Sequence, residues 1–432
     1  MASSIVHDIV VIGAGVSGIA ACARIHAQGL SVRLLDARTR VGGRLLSTPG
    51  GADLGGSWVW AGDDHVVEAC RATGIELVPQ RVDGEVLFVK GRDASRRIGN
   101  QGGQIVPCGP EALRLSGGYA ELPSKLAQGL PLESVMLGCK ARAVELVDTE
   151  QQLSPAVPAS ETTAPKTIRI TYEVVANDSE SDKGGPSFLL ARYVIIAMPP
   201  RLAARIDFRP ALPRDQARRM GATATWAGDW TKVVATFETA FWRKRGESGA
   251  ALTPDWPVGV WWESSDTDTG EASASLAGFA VGLDATLHFA TAPSAEAEDD
   301  VTEAGTLAPG LETSARAALS ALFGEALVTS QLKSLHCKIW GADPLTYAAP
   351  PPGSSELPWQ DPREIYGHPL LRQPLGWGVS FAGTETETQS GHVEGALIAG
   401  QRTANEALAA LLSHAGIRSG GVTGDKFATA KK

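Results

Sequence analysis

The N-terminal segment, up to Asp36, changes its hydrophobic period twice, and no other feature constrains the fold as strongly. Asp8–Ile12 is a short apolar run with β-branched residues, as in a buried parallel strand. After a glycine-rich turn, Val16–Gln28 places its apolar residues along one helical stripe, which Gly29 ends. Ser31–Asp36 is apolar again. The pattern predicts a βαβ unit, and a parallel sheet in an α/β protein follows from it.

The turn of this unit has the spacing GxGxxG, formed by Gly13, Gly15 and Gly18. The first glycine suits a tight turn, the second lets the backbone approach a pyrophosphate, and the third allows close packing of helix on strand. The helix N-terminus favours an anion, and Asp36 can accept hydrogen bonds from an adenosine ribose. In this strand-turn-helix context the motif predicts a dinucleotide site, which either NAD or FAD would fit.

A basic stretch that contains two glycines, RTRVGGR, follows the second predicted strand. The pair Gly42 and Gly43 permits another close backbone approach, and Arg38 or Arg44 can pair with phosphate as a planar fork. We interpret Arg40 as part of a solvated loop. The stretch therefore extends the predicted phosphate site beyond the first turn.

Charge and cysteine usage exclude several classes of function. The 432 residues carry 39 Lys+Arg against 48 Asp+Glu, a formal charge of -9, which predicts no nucleic-acid partner. No close Cys or His pair has metal-ligand spacing, so we expect no metal. The dispersed cysteines predict free thiols at Cys22, Cys70, Cys108, Cys139 and Cys337. Without a leader or an apolar run near ~20 residues, we expect a soluble, cytoplasmic protein with no membrane anchor.

Later segments alternate predicted elements with polar connections. Ala191–Pro200 is a predicted buried strand, and Thr231–Trp242 a predicted strand of an antiparallel sheet with one wet face. Gly378–Gly383 is a predicted strand, and Ser390 is predicted to cap a helix that runs through Ala409. Stretches rich in Pro, Ser and Gly predict surface connections at 149–166, from 177, at 294–310 and from 349, and a disordered tail at 416–432.

Three N-terminal segments, GAGVSG, LDARTRVGGR and DLGGSW, resemble the N-terminal region of the flavin-containing amine oxidase family, which includes monoamine, polyamine and L-amino-acid oxidases. ARYVIIAMPP resembles the family's strand that returns to the flavin domain, and WTKVVATFETAFWRKR its lysine-bearing strand. FAGTETETQSGHVEGALIAGQRTANEAL is similar to the C-terminal flavin-binding helix. The resemblance therefore extends over most of the chain.

The resemblance implies an α/β fold of two interleaved domains. A Rossmann-like FAD-binding domain of the glutathione-reductase type would be assembled from residues 1–82, 130–222 and 335–415. An α+β substrate domain with a mixed sheet would comprise residues 83–129 and 223–334. The substrate would bind at the junction of the two domains.

Family members bind FAD, and the resemblance carries the contacts with FAD onto positions of this chain. Asp36 would hold the ribose, Arg44 the pyrophosphate, and the stretch near Ala143 the adenine. Glu385 would lie near the pyrophosphate and ribityl chain, and the Val393 amide would bind a flavin carbonyl at a helix N-terminus. The implied set is Gly13, Gly15, Val16, Ser17, Gly18, Asp36, Ala37, Arg38, Gly43, Arg44, Gly56, Ser57, Trp58, Ala143, Gly383, Thr384, Glu385, His392 and Val393.

Lys232, Trp58 and His392 are the implied catalytic candidates. From the pattern alone, Lys232 is read as a surface lysine on the wet face of its strand, whereas the resemblance implies that it holds a water near flavin N5. His392 stands where typical members have a substrate-framing tyrosine, and Tyr347 is the candidate for the second such tyrosine. Trp58 and Trp60 can supply aromatic surface with cation–π attraction for an ammonium.

The implied reaction is the oxidation of an amine. A hydride would pass from the carbon next to the nitrogen to flavin N5, the imine would be hydrolysed, and O2 would reoxidise the flavin to give hydrogen peroxide. The partners would then be a small-molecule amine and O2. DPLTYAAPPPG lacks the cysteine with which covalent monoamine oxidases attach the flavin, so FAD would be bound non-covalently.

Three other functions stay open. An L-amino-acid oxidase would need an arginine to clamp the carboxylate, and Arg81, Arg92, Arg96 and Arg114 are candidates, read by default as exposed. A flavin-dependent desaturase or dehydrogenase of a carbon skeleton would share the N-terminal motifs. A non-catalytic FAD-binding protein would fit the altered aromatic residues. The sequence also leaves open which amine reacts and what the oligomeric state is.

Overall fold

The structure is a computed structural model, which describes residues 5–91, 96–99, 111–147, 167–175, 186–228, 230–265, 274–281, 309–349, 366–389 and 391–414. Its strands are β1 Val6–Ile12, β2 Val32–Leu35, β3 Leu77–Pro79, β4 Glu85–Phe88, β5 Arg96–Arg97, β6 Leu113–Leu115, β7 Val135–Met136, β8 Cys139–Val147, β9 Thr167–Val174, β10 Ser187–Ala197, β11 Asp207–Arg209, β12 Trp230–Phe237, β13 Glu247–Leu252, β14 Val258–Glu263, β15 Ala274–Val281, β16 Leu332–Ile339 and β17 Val379–Ala382. Its helices are α1 Val16–His26, α2 Asp64–Thr73, α3 Glu121–Gln128, α4 Pro200–Ala203, α5 Arg214–Ala222, α6 Phe241–Lys244, α7 Pro309–Phe323, α8 Glu325–Gln331, α9 Pro369–Arg372 and α10 Val393–His414.

The chain divides into two compact units, each assembled from separated segments. The first unit comprises Met1–Gly43, Pro123–Trp226 and Ala348–Lys432, and the second comprises Arg44–Leu122 and Ala227–Tyr347. Residues 44–82, which the sequence analysis assigns to the FAD-binding domain, pack within the second unit, because β3 pairs with β6 and Trp58 packs against Trp262. Residues 335–347 likewise belong to the second unit.

An eight-stranded sheet forms the centre of the first unit, in the order β11-β8-β9-β10-β1-β2-β7, with β17 also paired to β10. β1 lies between β10 and β2 and is parallel to both, with Ile12 opposite Ile196 and Leu35. Val10 and Val11 point to opposite faces of the sheet and both are buried, as the unbroken apolar run predicts. The βαβ unit and the α/β fold class are thus confirmed, with α1 between β1 and β2.

Antiparallel strands and a close helix pair complete the first unit. β8, β9 and β10 are antiparallel neighbours, and the connections between them, 148–166 and 176–185, lie outside the described residues. α10 packs along α1, where a Cβ on Gly400 would come within 2.3 Å of the Ser17 backbone oxygen. The glycine therefore lets the two helix backbones touch. The strand predicted at 378–383 is β17.

The second unit is built on a seven-stranded mixed sheet, in the order β16-β12-β15-β14-β13-β4-β5. β13 pairs with β4 in parallel, and the other pairs are antiparallel. The prediction of one wet face for β12 is wrong, because Thr231–Ala235 is buried on both faces. β12 also ends at Phe237, and the rest of the predicted strand turns into α6, where Phe241 and Trp242 pack against Phe323.

Several other predictions can be placed within the described part of the chain. Pro309 and Gly310, at the end of the connection predicted at 294–310, already belong to α7. The four described cysteines are free and buried, whereas Cys108 and the tail at 416–432 lie outside the described residues. Burial raises the pKa of the Cys337 thiol to about 12. Among the described helices, none is long and apolar enough to cross a membrane.

Candidate functional site

The glycine-rich turn after β1 has a different use for each of its three glycines. Gly13 has φ +108°, and a Cβ there would lie 2.2 Å from the Ala197 oxygen. A Cβ on Gly18 would lie 1.9 Å from the Gly13 oxygen. Gly15 has φ -70°, and a Cβ there would meet no atom of the described chain beyond its own neighbours within 4 Å. Protein packing therefore requires Gly13 and Gly18, whereas Gly15 leaves open space beside its backbone.

The N-terminus of α1 lies at this open glycine and has no side-chain cap. Gly15 is the N-cap residue, and the first turn of α1 has no acidic residue. The Ile19 amide bonds to the Gly15 oxygen, so the amides of Val16, Ser17 and Gly18 precede the first intrahelical bond. Such a helix end carries about half a positive charge and favours an anion.

Asp36 joins the glycine-rich turn to the end of β2. Its buried carboxylate accepts hydrogen bonds from the backbone amide of Ala14, at 2.6 Å, and from that of Arg38, at 2.8 Å. Since each carboxylate oxygen has a second lone pair, Asp36 can hold the loop and still accept from a ribose hydroxyl. The sequence analysis missed the first role, because no spacing signals bonds to backbone amides. Ala37, the next residue, is half-buried.

The glycine pair after β2 folds back onto the glycine-rich turn. Gly42 donates its amide to the Ala14 oxygen at 2.8 Å and forms a β-bridge with Gly15. A Cβ on Gly43 would lie 3.3 Å from the Gly15 Cα. The predicted close approach is thus one of backbone to backbone, and it brings both glycine-rich segments to one place.

The three arginines of the same stretch have different surroundings. Arg40 is half-buried, and its guanidinium donates to the backbone oxygens of Val41 and Gly43 at 3.1 and 3.0 Å. The interpretation of Arg40 as solvated is wrong, because these bonds stabilise the loop. Arg38 is half-buried in the first unit, and Arg44 is half-buried in the second. The roles of Arg38 and Arg44 as phosphate ligands stay predictions.

A turn between β17 and α10 gathers the C-terminal residues of the predicted site. Gly383 donates its amide to the Ser17 hydroxyl at 3.1 Å, which joins this turn to α1. Thr384 donates its hydroxyl to the His392 backbone oxygen at 2.8 Å. The Ala396 amide also bonds to that oxygen, so His392 occupies the N-cap position of α10. Ser390, the predicted cap, lies outside the described residues.

An aromatic contact that the sequence analysis missed lies beside His392, which is exposed. The Trp226 ring meets the His392 ring at 6.1 Å and the Tyr366 ring at 6.0 Å, both nearly edge to face. The Trp226 amide donates to the fully buried carboxylate of Glu385 at 3.2 Å. A Cβ on Gly391 would fall 2.6 Å from the Trp226 ring. These residues come from separate segments, so no motif signals their contact.

Arg402 of α10 holds the same turn through an ion-pair network. Its guanidinium donates to the carboxylates of Glu387 and Glu406 at 2.7 and 2.8 Å, and to the Phe381 oxygen at 2.8 Å. Burial lowers the pKa of Arg402, but the bonds to the two carboxylates outweigh it and leave the pKa raised. The sequence analysis missed this network, although the i,i+4 spacing of Arg402 and Glu406 was an available signal.

In the second unit, the side chain of Lys232 is buried, with a relative exposure of 1%. Its ammonium donates hydrogen bonds to the Gly55 backbone oxygen at 2.7 Å and to the Ser57 hydroxyl at 2.5 Å. The reading of Lys232 as a surface lysine is therefore wrong. A buried ammonium is costly unless it is hydrogen-bonded, and here both acceptors come from the DLGGSW segment.

Three aromatic rings surround the ammonium of Lys232. Its Nζ lies 5.1 Å from the ring centre of Phe279, 5.5 Å from that of Trp262 and 5.7 Å from that of Trp58. All three distances lie within the ~6 Å range of cation–π attraction. Trp60 packs behind Trp58, at 5.9 Å between ring centres. Phe279 and Trp262 were not among the predicted site residues, because sheet register rather than spacing brings them to Lys232.

The position of Trp58 is set by Gln80, which the sequence analysis also missed. The Trp58 indole nitrogen donates to the Gln80 side-chain oxygen at 2.9 Å. Gln80 is buried, and its amide nitrogen donates to the backbone oxygens of Arg81 and Glu263 at 3.0 and 2.9 Å. These two bonds fix which end of the Gln80 amide faces Trp58.

Asp53 is a second fully buried ionisable group of this unit. Its carboxylate accepts the Ser47 hydroxyl at 2.8 Å and the Tyr119 amide at 2.7 Å. Burial raises the pKa of Asp53, although the nearby cations Arg114 and Lys232 act to lower it. The fold thus places the acidic side chain of Asp53 near the basic side chains of Arg114 and Lys232.

The arginines considered as carboxylate clamps are engaged with the protein where the structure describes them. Arg114 is buried, and its guanidinium donates to the Ser265 and Ser264 oxygens at 2.8 and 3.1 Å, so its reading as exposed is wrong. Arg81 lies 3.8 Å from the buried carboxylate of Glu263. The candidates whose side chains lie outside the described residues are Arg92 and Arg96.

The remaining predicted residues have simple surroundings. Gly56 is exposed, and Tyr347 and Val393 are half-buried. Ala143 lies in β8, with Thr171 of β9 on one side and Asp207 of β11 on the other. Over the described ranges, no group of three or more His, Cys, Asp or Glu side chains could hold a metal ion.

Comparisons with known proteins relate this geometry to a family. A family model described as flavin containing amine oxidoreductase matches residues 93–408, and one described as an NAD(P)-binding Rossmann-like domain matches residues 11–72. Amine oxidase [flavin-containing] B of the dog, Canis lupus familiaris, is 26% identical over 482 aligned positions, which cover 94% of this chain and 86% of that protein.

Solved structures show the same fold. Putrescine oxidase bound to putrescine superposes with a TM-score of 0.67 at 20% identity, over 94% of this chain and 100% of that chain. Cyclohexylamine oxidase from Brevibacterium oxydans IH-35A gives a TM-score of 0.67 at 21% identity, again over 94% and 100% of the two chains. At these identities the likeness is one of fold.

The two matching family models cover the features described above. The Rossmann-like match contains the open Gly15 and the loop held by Asp36, and the amine oxidoreductase match contains Lys232 and the start of α10. The second match alone spans well over half of the chain. The protein therefore belongs to the flavin-containing amine oxidoreductase family, as an oxidoreductase that acts on amines with FAD as its cofactor.

Proposed function

We propose that the protein is an oxidase of small primary amines that binds its FAD non-covalently. The observation that carries the proposal is the uncapped N-terminus of α1 at Gly15, with Asp36 fixing the loop in front of it. Held at the amides of Val16, Ser17 and Gly18, FAD would supply the two-electron oxidation of the amine to an imine. Water would hydrolyse the imine, and O2 would take up the two electrons to give hydrogen peroxide.

The first unit fits the dinucleotide part of FAD. The amides of Val16, Ser17 and Gly18 can bind the negatively charged pyrophosphate, because they have no partner within α1. The missing side chain of Gly15 gives the phosphates room to approach. Asp36 can accept hydrogen bonds from the adenosine ribose while it holds the loop.

The beginning of α10 fits the flavin end of the cofactor. α10 has 22 residues, so its N-terminus carries the full partial charge of a long helix. The Val393 amide at this end can donate to a flavin carbonyl and so stabilise negative charge. Thr384 fixes the His392 carbonyl and thereby the direction of this helix end.

Lys232 and its surroundings fit a role in proton movement. Gly55 and Ser57 set the direction of the ammonium group, so Lys232 can hold a water or move a proton at a defined position. Trp58, Trp262 and Phe279 keep bulk water from the ammonium, which strengthens its electrostatic effect.

Two observations favour a simple amine over an amino acid as the substrate. Arg114 and Arg81, two candidates for binding a carboxylate, are engaged with the Ser264 and Ser265 carbonyls and with Glu263. The proteins with similar folds are named for cyclohexylamine and putrescine, which are primary amines without a carboxylate. We therefore expect primary amines to react and L-amino acids to fail.

An anaerobic titration of the purified holoenzyme tests the proposal. Cyclohexylamine, putrescine and L-leucine are added in turn while the visible absorption of the oxidised flavin is followed. We expect bleaching by an amine that air reverses with release of hydrogen peroxide. If no amine bleaches a flavin that dithionite still reduces, the desaturase or non-catalytic function replaces the proposed one. Acid precipitation should leave the yellow colour in solution, and colour retained in the pellet would contradict non-covalent binding.

A further inference from the structure

We propose that the second unit contains a binding site for primary ammonium groups as such, which Lys232 occupies as a tethered ligand. The site, called here the ammonium cage, consists of the Gly55 oxygen, the Ser57 hydroxyl and the rings of Trp58, Trp262 and Phe279. When the Lys232 side chain is shortened, the ammonium cage should bind a free alkylammonium ion of matching length.

The contacts of the ammonium cage are made to the charged end of Lys232. The three ring centres lie 5.1 to 5.7 Å from Nζ, and the two hydrogen bonds end on the same nitrogen. Cation–π attraction and hydrogen bonds to an ammonium depend on the charge and the N–H groups, and a tether to the backbone adds nothing to either. A free alkylammonium ion can therefore make the same contacts.

The walls of the ammonium cage do not depend on the lysine for their positions. Phe279 is held by β15, and Trp262 by β14, in the middle of the mixed sheet. Trp58 is fixed by its bond to Gln80, which is itself bonded to two backbone oxygens. We therefore expect the walls to remain in place in a variant with a short side chain at 232.

The burial of Lys232 makes the ammonium cage selective for cations. At 1% exposure, an ion in this position is shielded from solvent, so its attraction to rings and oxygens is strong. A cavity left by a shortened side chain can take up a small ligand of matching shape. In the natural protein Lys232 fills the site and keeps amines out of it.

Ligand length provides a sharp test. Lys232→Ala removes three methylene groups and the ammonium, and n-propylammonium has the same number of carbon and nitrogen atoms. Lys232→Gly removes one carbon more, so n-butylammonium becomes the matching ion. Lys232→Met fills the same space with an apolar chain and serves as the control variant, since it should leave no room for an ion.

Binding is measured by equilibrium dialysis of each anaerobic holoenzyme against labelled n-propylammonium and n-butylammonium, with 1-propanol as the uncharged probe. We expect Lys232→Ala to bind one ion more per chain than Lys232→Met, and to prefer n-propylammonium over 1-propanol by about tenfold. In Lys232→Gly the preference should shift to n-butylammonium. The dialysis counts bound ions, whereas the test of amine oxidation follows bleaching of the flavin. The two proposals can therefore fail independently of each other.

Equal binding by Lys232→Ala and Lys232→Met would overturn the proposal, as would the same preferred ion in Lys232→Ala and Lys232→Gly. If Lys232→Ala is recovered poorly, its purification in n-propylammonium provides the same test. The ammonium cage predicts that n-propylammonium raises the folded yield and that 1-propanol does not. An equal rise with both compounds would show a merely apolar cavity and would also overturn the proposal.

Discussion

The two units build their candidate sites from different parts of the chain. In the first unit the proposed binding site is made of backbone, with the amides at the start of α1 and the open space at Gly15. In the second unit, side chains from three separate segments lie close to one ammonium, that of Lys232. A site made of backbone is disrupted when a side chain is added to a glycine that packs against other backbone, as Gly13 does. A site made of side chains depends on every neighbour that holds a ring or a hydrogen-bond acceptor in position.

The largest expected effect is that of a methyl group on Gly13. In Gly13→Ala the new Cβ would lie 2.2 Å from the Ala197 oxygen, at a φ of +108° that alanine rarely adopts. We expect a loss of about 3 kcal/mol or more in the free energy of unfolding, measured by urea denaturation.

Gly15→Ala is the matched control for that variant. Its Cβ meets no described atom, so the loss in stability should stay at about 1 kcal/mol, the usual cost of alanine at an N-cap, whereas FAD affinity should fall by about tenfold or more. Equal destabilisation by the two variants would show that all the glycines of the turn serve packing alone.

On the side-chain site, Lys232→Met should have the largest effect on rate. The variant keeps the volume of the lysine and removes the ammonium that Gly55 and Ser57 orient. We expect flavin reduction or reoxidation to slow by about a hundredfold while FAD stays bound, measured by stopped-flow absorbance. Lys333→Met, on the exposed edge strand β16, is the control and should change neither rate. Unchanged half-reactions in Lys232→Met would remove the lysine from the mechanism.

Gln80→Leu tests whether the position of Trp58, one of the rings near Lys232, depends on its hydrogen bond to Gln80. The substitution leaves the Trp58 indole nitrogen and two backbone oxygens without their partners. We expect a loss of about 1–3 kcal/mol in the free energy of unfolding. A double-mutant cycle with Trp58→Phe should be non-additive, because Trp58 and Gln80 share one hydrogen bond. Additive losses would mean that Gln80 does not position Trp58.

The smallest expected effect is a pH dependence carried by Asp53. Because burial raises the pKa of Asp53, the folded protein holds this proton more tightly than the unfolded chain does. Its contribution to stability is fully present below the ordinary pKa of 3.8 and is lost as pH rises through the raised pKa. Asp53→Asn should therefore gain about 1 kcal/mol relative to wild type as pH rises through this range.

Thermal unfolding of Asp53→Asn and wild type over a range of acidic to neutral pH measures this difference. Asp83→Asn, at an exposed position in the same unit, is the control variant for the loss of a carboxylate. A difference between Asp53→Asn and wild type that does not change with pH would show that the carboxyl group titrates alike in both states.

Much of the first unit could be predicted from sequence, because its signals are local. The apolar run of β1, the GxGxxG turn and Asp36 lie within one βαβ unit, and each conformation they need is set by neighbouring residues. The misjudged residue there was Arg40, whose partners are backbone oxygens that no side-chain pattern reveals.

The second unit was less predictable, because its contacts depend on strand pairing. β12 was expected to have a wet face, yet β15 and β16 flank it and both of its faces are buried. Phe279 reaches Lys232 because it lies opposite it in β15, and Trp262 because β14 pairs with β15. Arg114 was read as exposed because the carbonyls that bind it come from a distant segment.

The amino-acid sequence was sufficient to predict a βαβ unit in an α/β fold, and its motifs identified the amine oxidase family. Glycine spacing and hydrophobic period are local properties, so they can be read without knowing what lies across the sheet. The burial of the Lys232 ammonium close to three aromatic rings, and the bonds of Asp36 to the backbone amides of Ala14 and Arg38, became visible in the folded structure. The first outcome depends on which distant segments pack together, and the second on bonds to backbone amides, which no side-chain pattern reveals.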